Sequence, residues 1–589
     1  MKASAKPSSW KRVARVSELP TATTPPGSGP CAVAAGDVDL VVLYAGQAGL
    51  KVYEGRCPHQ GALLGEGELE GNLLVCRNHR WKFDVDTGQR KGGAQCLRAY
   101  PTEVRDGELW VDLGELESAP TTKTTARRRI RDLPGPRGLP FFGNLFDFEV
   151  KRLHAVFEDW ARTYGPVYRL SAAGQDFVAL SDPALINEAL RARPETFRRD
   201  ERVEPVFAEL GVAGVFSAEG AAWRPQRRLA MEALAQKNLR GFYPTLAAVA
   251  ERLRRRWERT AGTEIDLVDD LMRFTVDVTT TLVFGRDLAT LDGGEDVIQR
   301  ELALVFPTFA RRLNTLIPYW RLLRLPADRR VDRAVASLRV WLAELITDAR
   351  ALLGADPTRA PANFLESMLA SRDDQGKPFS DDIIFGNCMT MLLAGEDTTA
   401  NSVAWAVHLL CDHPEEVAAL CRELDATLGE AAVPRDLEEA NRLEHATAVA
   451  NESMRLLPVA PLNFLHALHD TTLGDLVIPK GTAILILARM AATDEKHFGE
   501  PARFLPDRWL HKPAFAHDPS AHQPFGSGPR ICPGRSLALV EMRVMLATLY
   551  RNFEVSRVGA SSDVKELYSF TMMPTQLRVR LLPRAPQKA

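Results

Sequence analysis

The hydrophobic pattern changes period once along this chain, and no other feature restricts the possible folds as much. Residues 10–113 carry short β-like runs, among them Leu50-Lys51-Val52-Tyr53, Leu73-Leu74-Val75 and Glu108-Leu109-Trp110-Val111, broken by turn signals such as Asp86-Thr87-Gly88. From Leu153 onward the apolar residues recur at helical spacing over long spans, including 184–191, 246–259 and 333–352. The pattern predicts a multidomain chain, with a small all-β unit over 10–113 and a mainly α unit with minor β over 132–585. Residues 114–131 are polar and read as a flexible linker spanning roughly 20–25 Å. A tether of that reach holds the two units at an effective concentration on the order of millimolar.

Composition removes several classes of function. The chain has 74 basic and 76 acidic residues, a formal net charge of -2, so bulk electrostatics favours neither nucleic acid nor a membrane surface as partner. Residues 1–12 are polar and basic, and no run of about 18 apolar residues occurs, which predicts a soluble, cytoplasmic protein. Eight cysteines in 589 residues are too few for a disulfide scaffold. Five of them, Cys31, Cys96, Cys388, Cys411 and Cys421, read as small hydrophobes. The other three stand in metal-like contexts.

Two of these belong to Cys57-Pro58-His59 and Cys76-Arg77-Asn78-His79, each following a strand-like run, so both pairs fall on loops of the β unit. A [2Fe-2S] cluster with two thiolates on one iron and two imidazoles on the other needs such a pair of loops. A Cys2His2 zinc site uses the same ligand types, though it would be expected to pair Cys with Cys and His with His at short spacing. With Gly61, Glu66-Gly67-Glu68, Trp81, Phe83-Asp84 and Thr87-Gly88, the segment resembles the Rieske iron-sulfur family. The resemblance implies Cys57 and Cys76 on one iron and His59 and His79 on the other. It departs from the family at Arg80, where glycine is common. Trp81 and Phe83 stand where high-potential members place Ser and Tyr hydroxyls, which implies a low cluster potential.

The third is Cys532, in Phe525-Gly526-Ser527-Gly528-Pro529-Arg530-Ile531-Cys532-Pro533-Gly534-Arg535. Leu537, Val540, Val544 and Ala547 follow at helical spacing, and Pro533 suits a first helical position, so the sulfur is expected at a helix N-terminus, where the dipole favours a thiolate. Upstream, residues 381–411 read as one apolar helix of about 45 Å, opened by Ser380. Its middle, Ala394-Gly395-Glu396-Asp397-Thr398-Thr399, places acids and hydroxyls where apolar residues would be cheaper. Thr398 is expected to bond back to the carbonyl of Ala394 and open a small groove.

The Cys532 loop, with Phe525, Gly528, Arg530 and Gly534, resembles the haem-thiolate signature of cytochrome P450, and the likeness runs from Leu133 to Leu582. It implies haem b ligated by Cys532 and a proton-relay pair, Asp397 and Thr398. It also implies propionate contacts from Trp223 and Arg227, with Arg530 in the loop. The propionate-binding arginine usual before Ile478-Pro479-Lys480-Gly481 is replaced by His466, an anchor whose charge would follow pH. Glu452, Arg455 and Arg508 resemble the family's structural Glu-Arg-Arg network.

Together the resemblances imply a monooxygenase that inserts one atom of O2 into a small hydrophobic substrate, since thiolate ligation favours O–O cleavage. With no Gly-rich dinucleotide fingerprint, its electrons are expected from an external NAD(P)H-dependent flavoprotein reductase, through the cluster. Glu66, Glu68 and Glu70 are read either as docking on a basic surface formed by Arg224, Arg228, Arg530 and Arg535 or as ordinary solvated surface residues. Residues 302–325, with Phe306, Phe309, Leu316 and Trp320, are read as a cap over the substrate pocket or as core. A redox or gas sensor, and an oxygen-independent isomerase or peroxide user, remain the alternatives.

Overall fold

A computed structural model describes residues 10–584 except 17–18, 20–28, 36–37, 45–48, 59–62, 77–80, 92–94, 114–126, 294–296, 314, 316–317, 357, 374 and 511–516. The chain divides into two compact units, residues 1–127 and 128–589.

The first unit is antiparallel β. Cys31–Ala35, Val38–Tyr44, Leu50–Glu54 and Ala99–Tyr100 form one sheet, and Trp10–Arg15, Glu108–Asp112 and Thr102–Arg105 a second. A short three-stranded sheet, Glu68–Glu70, Leu73–Val75 and Lys82–Asp84, completes it. The strand Val38–Tyr44 is buried on both faces, as its unbroken apolar run requires. Because side chains alternate, Leu40 and Val42 join one apolar cluster while Val41 and Leu43 join the other, which holds Cys57 and Cys76.

The second unit is mainly helical. Its centre is the long helix Asp381–Leu410, capped by the Ser380 hydroxyl, which accepts from the Ile383 N–H. That helix is apolar on nearly all sides because others surround it, chiefly Leu267–Phe284, Glu444–Leu456 and Arg535–Asn552. Gly386 allows the closest approach: a Cβ there would overlap the Ala213 carbonyl. A mixed sheet flanks the helices, in the order Val167–Ala172, Gln175–Leu180, Ala483–Leu487, Leu462–Ala467 and Phe197–Arg199. No described helix is long and apolar enough to cross a membrane.

Two boundaries differ from the sequence reading. The span 333–352 lies within the longer helix Pro326–Ala355, whose charged first turns hid its start; Asp328 caps it by accepting from the Leu325 N–H. The second unit begins at Arg128 rather than at 132. Arg128–Arg129 pairs in parallel with Leu476–Ile478, and the Arg128 guanidinium grips Asp475 at 2.6 and 2.8 Å. The rest of the expected linker, 114–126, lies outside the described residues.

Candidate metal centres and reaction groove

In the first unit each ligand loop is closed at its base by backbone pairing. Arg56 bridges Leu63 around one, and the Cys76 N–H donates to the Trp81 carbonyl across the other. Cys57 and Cys76 are each 1% exposed, neither is in a disulfide, and both pack in one cluster with Leu64 and Phe83. Two unlinked thiols enclosed together suit a shared metal ligand set. His59, His79, Gly61 and Arg80 lie outside the described residues. The downstream turn is held by Asp84, whose Oδ1 accepts from the Asp86 and Thr87 N–H groups and the Thr87 hydroxyl, lowering its pKa. Arg90 was missed by sequence reasoning: its guanidinium lies 3.4 Å from the Trp81 ring centre, and its charge interacts with the Cys57 thiol.

In the second unit the Cys532 loop is closed by the Cys532 N–H, which donates to the Phe525 carbonyl at 2.9 Å. Gly528 has φ +70°, and a Cβ there would come within 2.6 Å of the Leu190 carbonyl oxygen, so only glycine fits against the end of helix Pro183–Arg191. The cysteine helix starts at Arg535, two residues later than Pro533 suggested, because Gly534 is its N-cap. Burial raises the Cys532 pKa, while the Gly534 and Arg535 N–H groups and the Arg227 and Arg535 charges oppose that shift. Yet Cys532 is exposed to a water-sized probe. A sulfur that is both desolvated and open borders internal space, as a haem ligand must.

The long helix shows the same combination. Ala394 is exposed and Gly395 to Thr398 are half-buried, although Leu393 and Ala400 on either side are buried. Burial raises Asp397 to about 6, and burial together with the Asp397 charge raises Glu396 to about 8. The Thr398 hydroxyl donates to the Ala394 carbonyl at 2.7 Å, as the sequence suggested. Thr275 adds a bond to the Glu396 carbonyl, Asn401 one to Asp397 and Ser402 one to Thr398. Side chains thus engage four carbonyls within five residues, which loads the helix with local competitors for its own ladder.

Around the Cys532 loop three buried guanidiniums converge. Arg530 pairs with Glu219 at 2.6 Å and lies 4.3 Å from the Trp223 ring centre; Arg193 interacts with both Arg530 and Arg199. Glu219 is the carboxylate hydrogen-bonded to Arg530 there, and nitrogens of all three arginines lack protein partners. Haem propionates would supply acceptors for them. Arg193 and Arg199 were not foreseen in sequence. Arg227 instead donates to the Ile531 carbonyl. His466 lies outside this group, opposite Arg198 in the sheet, with Gln175 Nε2 at 2.6 Å from its Nε2, and burial lowers its pKa. Arg530 is buried against Glu219 and so contributes nothing to the expected basic surface. Arg224 pairs with Glu195 and Glu70 with Lys82, which leaves less free charge for docking than the sequence suggested.

The structural network is assembled in full. Glu452 accepts from Arg455 at 2.8 and 2.7 Å, from Arg508 at 3.0 Å and from Trp509 at 2.8 Å, and its side chain and those of both arginines are 0% exposed.

Compared with protein-family models, residues 133–581 match cytochrome P450 and residues 9–101 match the Rieske [2Fe-2S] domain. Human mitochondrial 25-hydroxyvitamin D-1 alpha hydroxylase is 28% identical over 475 residues, 76% of this chain and 92% of that protein. Arabidopsis thaliana chloroplastic protein LUTEIN DEFICIENT 5 is 27% identical over 432 residues, 70% of this chain and 71% of that one. The crystal structure of the cytochrome P450DA heme domain superposes with a TM-score of 0.69 at 26% identity, covering 78% of this chain and 99% of that one. The thiol at a helix N-terminus, the long helix with acids and hydroxyls at its middle and these likenesses agree: the chain belongs to the cytochrome P450 family, a haem-thiolate monooxygenase that carries a Rieske [2Fe-2S] domain ahead of its P450 domain.

Proposed function

We propose that the Rieske domain is the built-in electron donor of the P450 on the same chain, fed by an external NAD(P)H-dependent flavoprotein reductase. The observation that carries this is the pairing of a one-electron carrier and a one-electron acceptor on one chain, each with its thiols in place. When bound, the cluster carries single electrons, and the haem-thiolate activates O2 for insertion of one atom into a C–H bond or an alkene.

The chain's own residues then have distinct tasks. Cys532 is the haem ligand, with the Gly534 and Arg535 N–H groups supporting its sulfur as an anion. Cys57 and Cys76 hold one iron of the cluster, and His59 and His79 the other. Arg193, Arg199, Arg530 and Trp223 orient the propionates. Thr398 positions a hydroxyl in the groove, and Asp397, with a pKa near 6, both holds and releases a proton close to neutral pH. The substrate is a small hydrophobic molecule and the setting cytoplasmic.

The test is reduction under carbon monoxide with NAD(P)H and a generic flavin reductase, following cluster bleaching and the haem–CO band in wild type and Cys57→Ser. Loss of fast haem reduction in the variant supports the internal route. Unchanged haem reduction removes it and favours a sensing role for the cluster.

A further inference from the structure

Helix Val297–Leu313 carries a charge that none of the sites above uses. Arg312 is 2% exposed, and none of its three guanidinium nitrogens has a hydrogen-bond partner. Buried arginines are normally paired. The carboxylates whose charge reaches it are Asp328, Asp332 and Glu209. Each is held at shorter range by another arginine: Asp328 by Arg311 at 3.0 Å, Asp332 by Arg324 at 3.0 Å and Glu209 by Arg321 at 2.5 Å. Arg312 approaches Asp328 only to 3.8 Å, and its other near neighbour is the Trp320 ring, centred 5.1 Å away. Four guanidiniums therefore share three carboxylates, and the one held at the longest range is the most deeply buried.

Its position gives that charge a use. Phe309 is one turn earlier on the same helix face. Its ring stacks on Phe207 at 4.3 Å, and with Phe207, Val212, Met389, Thr390 and Leu393 it lines an apolar crevice too narrow to admit a water molecule. Leu393 directly precedes Ala394, where the groove of Thr398 begins. Phe309 and Trp320, expected over the pocket or in the core, share one apolar cluster here; the Phe306 side chain and Leu316 lie outside the described residues. An apolar wall thus leads from the groove to a helix whose next turn holds a buried cation with no hydrogen bond to its guanidinium. Most ligand pockets enclose roughly 300–1,000 Å³, so substrate binding must open this crevice.

We propose that Arg312 anchors the substrate head group, and that this enzyme takes long apolar molecules ending in a single carboxylate. The proposal rests on the monooxygenase reading and narrows its substrate class. A carboxylate accepts two parallel bonds from a guanidinium and restores local neutrality. A neutral head group of similar size does neither and leaves the cation weakly compensated by Asp328 at 3.8 Å. With the charged end held at Arg312, the apolar end lies toward the Thr398 groove, and oxidation falls remote from the carboxylate.

The experiment titrates the haem-loaded full-length protein with dodecanoic acid and with dodecan-1-ol, reading the shift of haem absorbance, in wild type, Arg312→Gln and Arg312→Lys. Wild type is expected to bind the acid about tenfold to a hundredfold more tightly than the alcohol. In Arg312→Gln that ratio should collapse to about one, with Arg312→Lys between. Equal affinities in wild type overturn the proposal without any variant, and so does a ratio in Arg312→Gln that matches wild type. The reduced carbon-monoxide spectrum of the same samples reports on Cys532 separately. A preparation without a thiolate band counts against the proposed function, whereas a normal band with equal affinities counts against Arg312.

Discussion

The two metal-binding regions solve one problem, how to keep cysteine sulfur available inside a protein, in opposite ways. Cys57 and Cys76 are sealed in an apolar cluster on hairpin loops, with the Arg90 charge reaching Cys57. Cys532 faces internal space at a helix start, with backbone N–H groups and the Arg227 and Arg535 charges beside it. A β unit has no helix dipole to offer, so its compensation must come from a side chain, whereas the helical unit obtains part of it from the backbone. The difference suggests that the first centre is tuned by single side chains and the second by loop geometry.

The strongest test of that separation is Cys532→Ser, which should abolish the thiolate band of the reduced carbon-monoxide spectrum while the cluster absorbance remains. Cys57→Ser should do the reverse; loss of both signals in either variant would show the centres to be interdependent.

A second test breaks only the helical region. Glu452→Ala strands two buried guanidiniums and should cost about 3–5 kcal/mol. Denaturant unfolding followed by haem absorbance should show the loss, with the cluster signal lost at the same denaturant concentration as in wild type. A cost below about 1 kcal/mol would assign the network no part in holding the fold.

Thr398→Ala should lower product formed per reducing equivalent by roughly tenfold or more. An unchanged yield removes the hydroxyl from proton delivery.

Smaller still is a pH effect. Burial raises Glu396 from 4.5 to about 8, so between those values the folded protein holds a proton that the unfolded chain has released. The contribution to stability is complete below the lower value and is lost as pH rises through about 8. Melting temperature should therefore fall with pH across this window, and Glu396→Gln should flatten the fall. Identical slopes would mean that Glu396 is charged in the folded protein.

The smallest effect sharpens the comparison itself. Arg90→Gln should lower the cluster midpoint potential, because a nearby cation favours the more negative reduced state. Trp81 and Phe83 imply a low potential from missing hydroxyls, and Arg90 pulls the other way. A redox titration with no change on substitution would leave hydrogen bonding as the main control.

Sequence made the chemistry legible wherever ligands and supports are neighbours in the chain. The loop around Cys532, the Thr398 bond to Ala394 and the Glu452–Arg455 pair all depend on spacings of a few residues, and periodicity carries that information faithfully. It failed where partners are distant. His466 looked like a propionate anchor from its place before a strand turn, but the sheet register sets it opposite Arg198, and the buried charge gathers instead at Arg193, Arg199 and Arg530. Arg530 was also read as surface, although Glu219, 311 residues earlier, encloses it.

By itself, then, the sequence determined that there are two units, which thiols each offers, and the bond from the Thr398 hydroxyl to Ala394 in the long helix, because these follow from local pattern and short-range geometry. Only the tertiary structure decided which charges are neutralised. Neutrality depends on which side chains burial brings together, and that Asp328 is held by Arg311 at 3.0 Å and by Arg312 only at 3.8 Å is set by helix packing rather than by any spacing along the chain.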